Sequence, residues 1–150
     1  METNRLGSTR VIGKKPIVIL DTNILMMIAE GVSVAEDLEQ QLLTKPVLVC
    51  TKSVIKELER MLSEKGKISR AAFLALEFVK RNCEVIEGET GSADRDIVCL
   101  ALSLREQGAT VIVATNDKEL RRTLREAGVP TACYRESKGM IVIEEGTLLL

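Results

Sequence analysis

Short runs of β-branched and aliphatic residues alternate along the chain with longer stretches of helical periodicity. Ile17-Val-Ile-Leu20 follows Pro16 and is apolar at every position rather than at every second one, the pattern of a strand buried on both faces. Residues 22–30 turn to helical spacing and Gly31 closes them; Ser33 opens a second helix that runs to about residue 43. Val47-Leu-Val-Cys50 restarts as a strand after Pro46, and residues 51–64 form a helix with Val54, Leu58, Met61 and Leu62 as its apolar stripe. After Lys65-Gly66, residues 69–81 give a helix on whose apolar face Phe73 and Phe78 are expected to pack into the core. Residues 83–86 make a third strand, Gly88-Glu-Thr-Gly91 a loop, and residues 92–106 a helix stopped at Gly108. Residues 110–114 are the clearest strand of all, residues 117–127 a helix ended by Gly128 and Pro130, and residues 131–134 the last parallel strand. Residues 140–143 add an edge strand or hairpin after Gly139.

Strands that alternate with helices imply right-handed crossovers and a parallel sheet covered on both faces. The expected fold is a three-layer α/β/α sandwich with a central five-stranded parallel sheet. A length of 150 residues suits one domain, placed at residues 16–150 behind a polar tail, residues 1–15, expected to be flexible. That tail carries Arg5, Arg10, Lys14 and Lys15 and has no apolar segment resembling a secretion signal. No run approaches the roughly 20 apolar residues that span a bilayer. The location expected is cytoplasmic, without membrane contact.

Composition narrows the chemistry. The chain has no histidine, which excludes histidine-based acid–base catalysis, histidine-type zinc sites and Ser-His or Cys-His triads. Its four cysteines (Cys50, Cys83, Cys99 and Cys133) form no C-x-x-C pair and lie in or beside apolar stretches, so buried free thiols are expected. Chemistry is left to carboxylates, lysine or water. A net charge of −1 supplies no global attraction for nucleic acid, so any such contact must be local.

In open parallel sheets, function gathers beyond the carboxyl ends of the strands. Four chain segments put acids there. Asp21 follows the first strand, Glu57 lies two turns into the helix after the second, Asp94 and Asp96 open the helix before the residue 110–114 strand, and Asp117 follows that strand. Asp21 and Asp117 each have a second reading as helix N-caps, and Asn116-x-x-Glu119 has the form of a capping box. Crowded carboxylates repel and raise one another's pKa, a cost that a hard divalent cation removes. Mg²⁺ accepts such oxygen ligands and acts on phosphoryl groups.

Ile19-Leu-Asp21-Thr22-Asn23, Val54-Ile-Lys-Glu57-Leu58, Ala93-Asp94-x-Asp96-Ile97 and Ala114-Thr115-Asn116-Asp117-x-x-Leu120, in that order, resemble the PIN-domain nucleases over about residues 17–143. The last segment, with Val113-Ala-Thr-Asn-Asp-Lys-Glu-Leu-Arg-Arg and the following Gly128-Val-Pro130, is most similar to the branch that cuts ribosomal RNA precursors. The resemblance implies a Mg²⁺- or Mn²⁺-dependent endoribonuclease. It implies metal-binding acids at Asp21, Glu57, the Asp94/Asp96 pair and Asp117, supported by hydrogen bonds from Asn23 and from Thr115 or Asn116. This chain departs from the family pattern in its two aspartates at the third position. Helical geometry puts Asp94 nearer the stripe of Ile97, Ala101 and Leu104, with Asp96 on its flank, so Asp94 is favoured as ligand and Asp96 as ligand or support. Glu57 and Glu59 flank Leu58 symmetrically, and only the family pattern and its place nearer the strand end select Glu57. Glu36, Asp37 and Glu39 read as ordinary exposed helix charges.

Three other readings compete. An aspartyl phosphatase of the haloacid dehalogenase type wants a second Asp where this chain has Asn23, which cannot protonate a leaving group. A non-catalytic PIN-like module binding RNA or protein would have no need to keep all four acidic positions. Within the nuclease reading, ribosomal RNA maturation and toxin action in a toxin–antitoxin pair both stay open. So do a homodimer and a ribosome-assembly or antitoxin partner. Without Trp, and with only Phe73, Phe78 and Tyr134 as aromatics, the chain has little to stack bases on. RNA, single-stranded or in loops, is expected to be gripped by its backbone, with Arg121, Arg122, Arg125, Arg135 and Lys138 as candidates.

Overall fold

The structure is a computed structural model that describes residues 15–144. Apart from Lys15, the expected N-terminal tail lies outside the described residues, as does the segment after Glu144. The chain runs β1 (Ile17–Leu20), α1 (Thr22–Met26), a 3₁₀ turn (Met27–Glu30), α2 (Val34–Leu42), β2 (Val47–Thr51), α3 (Lys52–Met61), α4 (Lys67–Asn82) and β3 (Cys83–Ile86). It continues through α5 (Ala93–Glu106), β4 (Val111–Ala114), α6 (Lys118–Glu126), β5 (Thr131–Arg135) and β6 (Met140–Ile143). Each segment expected from the pattern forms. The first helix alone is divided, its last turn tightening to 3₁₀ before Gly31 closes it at φ 90°. A left-handed φ favours glycine there, because a Cβ would meet its own backbone.

The sheet order is β3-β2-β1-β4-β5-β6. Five strands are parallel, as expected, and β6 joins as a sixth, antiparallel to β5, so the sheet is mostly rather than wholly parallel. The central strands β1 and β4 are buried at every residue, which is why their sequences show no alternation. Chain order reverses between them: β1 leads outward to β2 and β3, and the chain then returns to β4 and runs outward the other way. The carboxyl ends of β1 and β4 therefore border the crevice where such sheets hold their ligands.

The two sheet edges differ. β3 is the edge strand on one side and is half-buried. The edge of β6 is covered by α2, whose side chains act as the missing strand: Asp37 Oδ2 accepts from Ile141 N (3.0 Å), Gln41 Nε2 donates to Ile141 O (2.7 Å), and Gln41 Oε1 accepts from Ile143 N (2.8 Å). Asp37, expected as a plain surface charge, thus satisfies a strand edge that would otherwise offer itself for pairing. Phe78 packs partly against the core, but Phe73, expected inside, is 55% exposed on α4. All four cysteines are free, with Cys50 and Cys133 buried; Cys83 is half-buried and Cys99, against expectation, is exposed. Among the described residues no helix is long and apolar enough to cross a membrane.

Candidate active site

Asp21 leaves β1 with its backbone N bonded to Ala114 O at the end of β4 (3.0 Å), so the two strand ends hold it between them. Its extended backbone makes it the N-cap of α1, and Oδ1 accepts from Thr22 N (2.8 Å). Oδ2 accepts from Thr115 Oγ1 (2.6 Å) and Asn23 Nδ2 (3.3 Å). Burial pushes the carboxyl's pKa up. The bonds from Thr115 and Thr22 oppose that push, and the charges of Asp94 and Glu57 add to it.

Glu57 reaches the same place from α3. Thr22 Oγ1 donates to Glu57 Oε1 (2.7 Å), while Glu59 on the other side of Leu58 points into solvent. The first helix therefore makes the choice that periodicity left open. Thr22 was not picked out from the sequence as a site residue, although it stands inside the Asp21-Thr22-Asn23 motif. Glu57 Oε2 also lies 3.9 Å from Arg60 Nη2, a loose and exposed ion pair.

The doubled aspartates of α5 separate completely. Asp94 is exposed, and its pKa is raised by partial burial and by the charges of Asp117 and Glu57. Asp96 is buried at 2% exposure. Its Oδ1 accepts from Thr90 N (2.8 Å) and Thr90 Oγ1 (2.7 Å), and its Oδ2 from Ser53 Oγ. Burial raises its pKa, but these bonds and one from the Glu89 backbone outweigh burial and hold the carboxyl below the usual range. A Cβ on Gly88 would lie 2.1 Å from Asp96 Oδ2, so only glycine lets the loop close over it. Asp94 faces the other acids; Asp96 faces away and fastens the loop before α5 to the start of α3. Ser53 and Thr90 escaped the sequence reading because nothing local marks them as partners of Asp96.

Asp117 is the N-cap that the sequence allowed, and it also stands near the other acids. Its Oδ1 caps α6 through Glu119 N (2.9 Å) and Leu120 N (3.2 Å), and its charge still bears on Asp94. Asn116 is not the cap of a capping box. Its side chain instead accepts from Tyr134 N (2.9 Å) and contacts Met27 Sδ (3.3 Å), while its backbone N donates to Asn23 Oδ1 (3.0 Å). Thr115 links the two strand-end acids, since its hydroxyl donates to Asp21 and accepts from Asp117 N (3.1 Å).

Asp21, Glu57, Asp94 and Asp117 thus form one group, which Asn23, Thr115 and Asn116 brace and from which Asp96 stands apart. The group is all hard oxygen, and two of its members carry pKa values raised partly by their neighbours' charge. That donor set fits a hard divalent cation, which would remove the repulsion. Among the described residues no three such groups form a ready-made coordination shell. The acids meet at the range of charge repulsion rather than of shared coordination.

The basic residues fall out differently. Arg121 and Arg125 both pair with Glu144 (3.8 and 3.1 Å), which lies beside Thr131 at the amino end of β5, at the opposite edge of the sheet from the acids. Arg122 pairs with Glu119 (3.3 Å). Of these three side chains, expected to meet RNA, Arg121 and Arg125 are held by a shielded Glu144, whereas Arg122 has only an exposed i,i+3 pair. Arg135 and Lys138, at the end of β5 and in the turn after it, are exposed on the carboxyl edge.

Comparison with known proteins is consistent with this geometry. The family described as "PIN like domain" matches residues 18–137. Ribonuclease VapC4 of Methanocaldococcus jannaschii is 34% identical over 125 residues, covering 81% of this chain and 92% of that protein. Ribonuclease VapC9 of Archaeoglobus fulgidus is 31% identical over 126 residues, covering 83% and 87%. Among solved structures, the PIN domain endonuclease Utp24 superposes with a TM-score of 0.68 at 25% identity, covering 85% of this chain and 90% of that one.

Proposed function

The chain belongs to the PIN-like domain family, and from that premise we propose that it is a divalent-metal-dependent endoribonuclease acting in the cytoplasm. The observation that carries this reading is the meeting of Asp21, Glu57, Asp94 and Asp117, from four separate segments, with Asp21 and Asp94 raised in pKa by burial and by the charges of other members of the group. A non-catalytic module gains nothing from such repulsion. These four acids would hold Mg²⁺ or Mn²⁺, which when bound would supply charge neutralisation at the phosphodiester and activation of water. The protein's own part is to position. Thr115 and Asn23 fix the Asp21 carboxylate, Thr22 fixes Glu57, and Asn116 ties the β4 end to β5 and the first helix. Asp96 acts through Asp94 and Glu57, holding the start of α5 against the start of α3.

Incubation of structured and unstructured RNA with the protein in Mg²⁺, in Mn²⁺ and in chelator tests this. Internal cleavage that needs the metal and disappears in Asp21→Asn is expected; cleavage that survives chelation or the substitution would overturn it. Two biological roles have support. Similarity to the two VapC ribonucleases favours a toxin-type ribonuclease held by an antitoxin partner, and the Val113–Arg122 motif favours maturation of ribosomal RNA. Growth arrest on expression of the unmutated protein, absent with Asp21→Asn, selects the first role; accumulation of uncut ribosomal RNA precursor on its depletion selects the second.

A further inference from the structure

We propose that the RNA strand is gripped on α3, by Lys56 and Arg60 in the groove that opens beside Glu57, and not by the arginines of α6. The inference rests on the nuclease reading above and adds the binding track to it. A groove of about 430 Å³ is lined by Ser53, Lys56, Glu57 and Arg60 of α3 and by Gly91 and Ala93 where the chain enters α5. Glu57 belongs to both the groove and the acidic group, so a strand lying in the groove runs directly onto the acids. Lys56 and Arg60 are four residues apart, hence on one side of α3 and roughly 6 Å apart along its axis. Both are exposed. That places two cations in a row leading away from the point where a scissile phosphate must sit.

Their availability distinguishes them from Arg121 and Arg125 of α6. Among the described residues no ion pair engages Lys56, and Arg60 has only the 3.9 Å contact with Glu57. A loose exposed pair of that kind contributes little and is readily exchanged for phosphate. Arg121 and Arg125 would each have to break a pair with the shielded Glu144. An acidic cleft in a chain of net charge −1 repels RNA unless cations stand close by, and α3 supplies them. The other groove leaving the site, about 340 Å³ between α5 and α6, begins at Asp94 and is floored by Val98, Leu120 and Thr123. Its lining carries one cation, Arg95, together with Glu119, against two in the α3 groove.

The test uses an unstructured oligoribonucleotide. Binding is read by fluorescence anisotropy across a salt series in the Asp21→Asn background, and cleavage in Mn²⁺ is read in the otherwise unmutated protein. Counterion release of about 0.7 per contact makes each phosphate contact worth roughly fivefold at 0.1 M salt, so Lys56→Ala/Arg60→Ala should weaken binding by roughly 25-fold. The slope of log K against log salt should become shallower by about 1.4, or about 0.7 for Lys56→Ala alone, which leaves the Glu57 contact intact. KM should rise with kcat unchanged, Mn²⁺ binding by calorimetry should stay the same, and Arg122→Ala should match the parent. Parent affinity and slope in the double variant, or equal losses in Arg122→Ala, would overturn the proposal while metal-dependent cleavage by the unmutated protein left the nuclease reading standing. Absence of RNA binding and cleavage by the unmutated protein would remove both.

Discussion

Asp94 and Asp96 stand two residues apart on the first turn of one helix, and their surroundings push them in opposite directions. On the Asp94 side, partial burial and then the charges of Asp117 and Glu57 push the pKa up. On the Asp96 side, one carboxylate is enclosed by Ser53, Thr90 and the Glu89 backbone, and the pKa falls. The first environment stores repulsion that a cation can relieve. The second spends its hydrogen bonds on holding a loop. One residue type thus serves chemistry on one face of a helix and architecture on the other, and the difference lies wholly in what surrounds it.

The largest effect expected is on the reactive face. Asp94→Asn should reduce RNA cleavage by more than the roughly 10- to 100-fold typical for loss of a group that merely supports a metal ligand. Asp96→Asn should leave measurable cleavage, and equal losses in the two variants would dissolve the contrast. Thr115→Val, which deletes the hydroxyl shared by Asp21 and Asp117, should fall between them at roughly 10- to 100-fold, seen as weaker Mn²⁺ binding as well as slower cleavage.

On the architectural face the effect is on stability. Asp96→Asn puts an amide where a carboxylate oxygen accepts bonds and should cost roughly 1–3 kcal/mol by urea denaturation. A folded-state pKa held below its unfolded value stabilises above the unfolded pKa and is lost as pH falls through the folded one. The gap between parent and Asp96→Asn should therefore be full at neutral pH and shrink in acid below the ordinary aspartate range. Gly88→Ala, which drives a methyl into the same carboxylate, should destabilise in the same direction.

The smallest effect has the opposite sign. Asp94's raised pKa means that the folded state holds its proton more tightly than the unfolded chain, so its ionisation disfavours folding as pH rises through that window. In chelator at neutral pH, Asp94→Asn should melt slightly higher than the parent, with the gain vanishing once the pH falls below the ordinary aspartate value. Mn²⁺ should then raise the melting temperature of the parent by more than that of the variant. A variant less stable than the parent at neutral pH would show that Asp94 is not under repulsion.

The sequence by itself determined the order of elements, the placement of acids at the strand ends and the family. Apolar runs, caps and glycine stops act over a few residues, so Ile17-Val-Ile-Leu20 and Val111-Ile-Val-Ala114 announce buried strands without knowledge of their neighbours. Asp21 and Asp117 could be placed because each directly follows or nearly follows such a run. Periodicity could not separate Glu57 from Glu59, and the physical reason for Glu57, its bond from Thr22 35 residues away in the chain, lies in the tertiary structure. That structure also decided which of Asp94 and Asp96 faces the acids, gave Asp37 and Gln41 the edge of β6 about 100 residues on, and bound Arg121 and Arg125 to Glu144. Helical periodicity says that two residues lie on different faces, but not which face meets the sheet edge. That depends on side chains brought together by strand pairing, and their partners leave no mark on the local sequence.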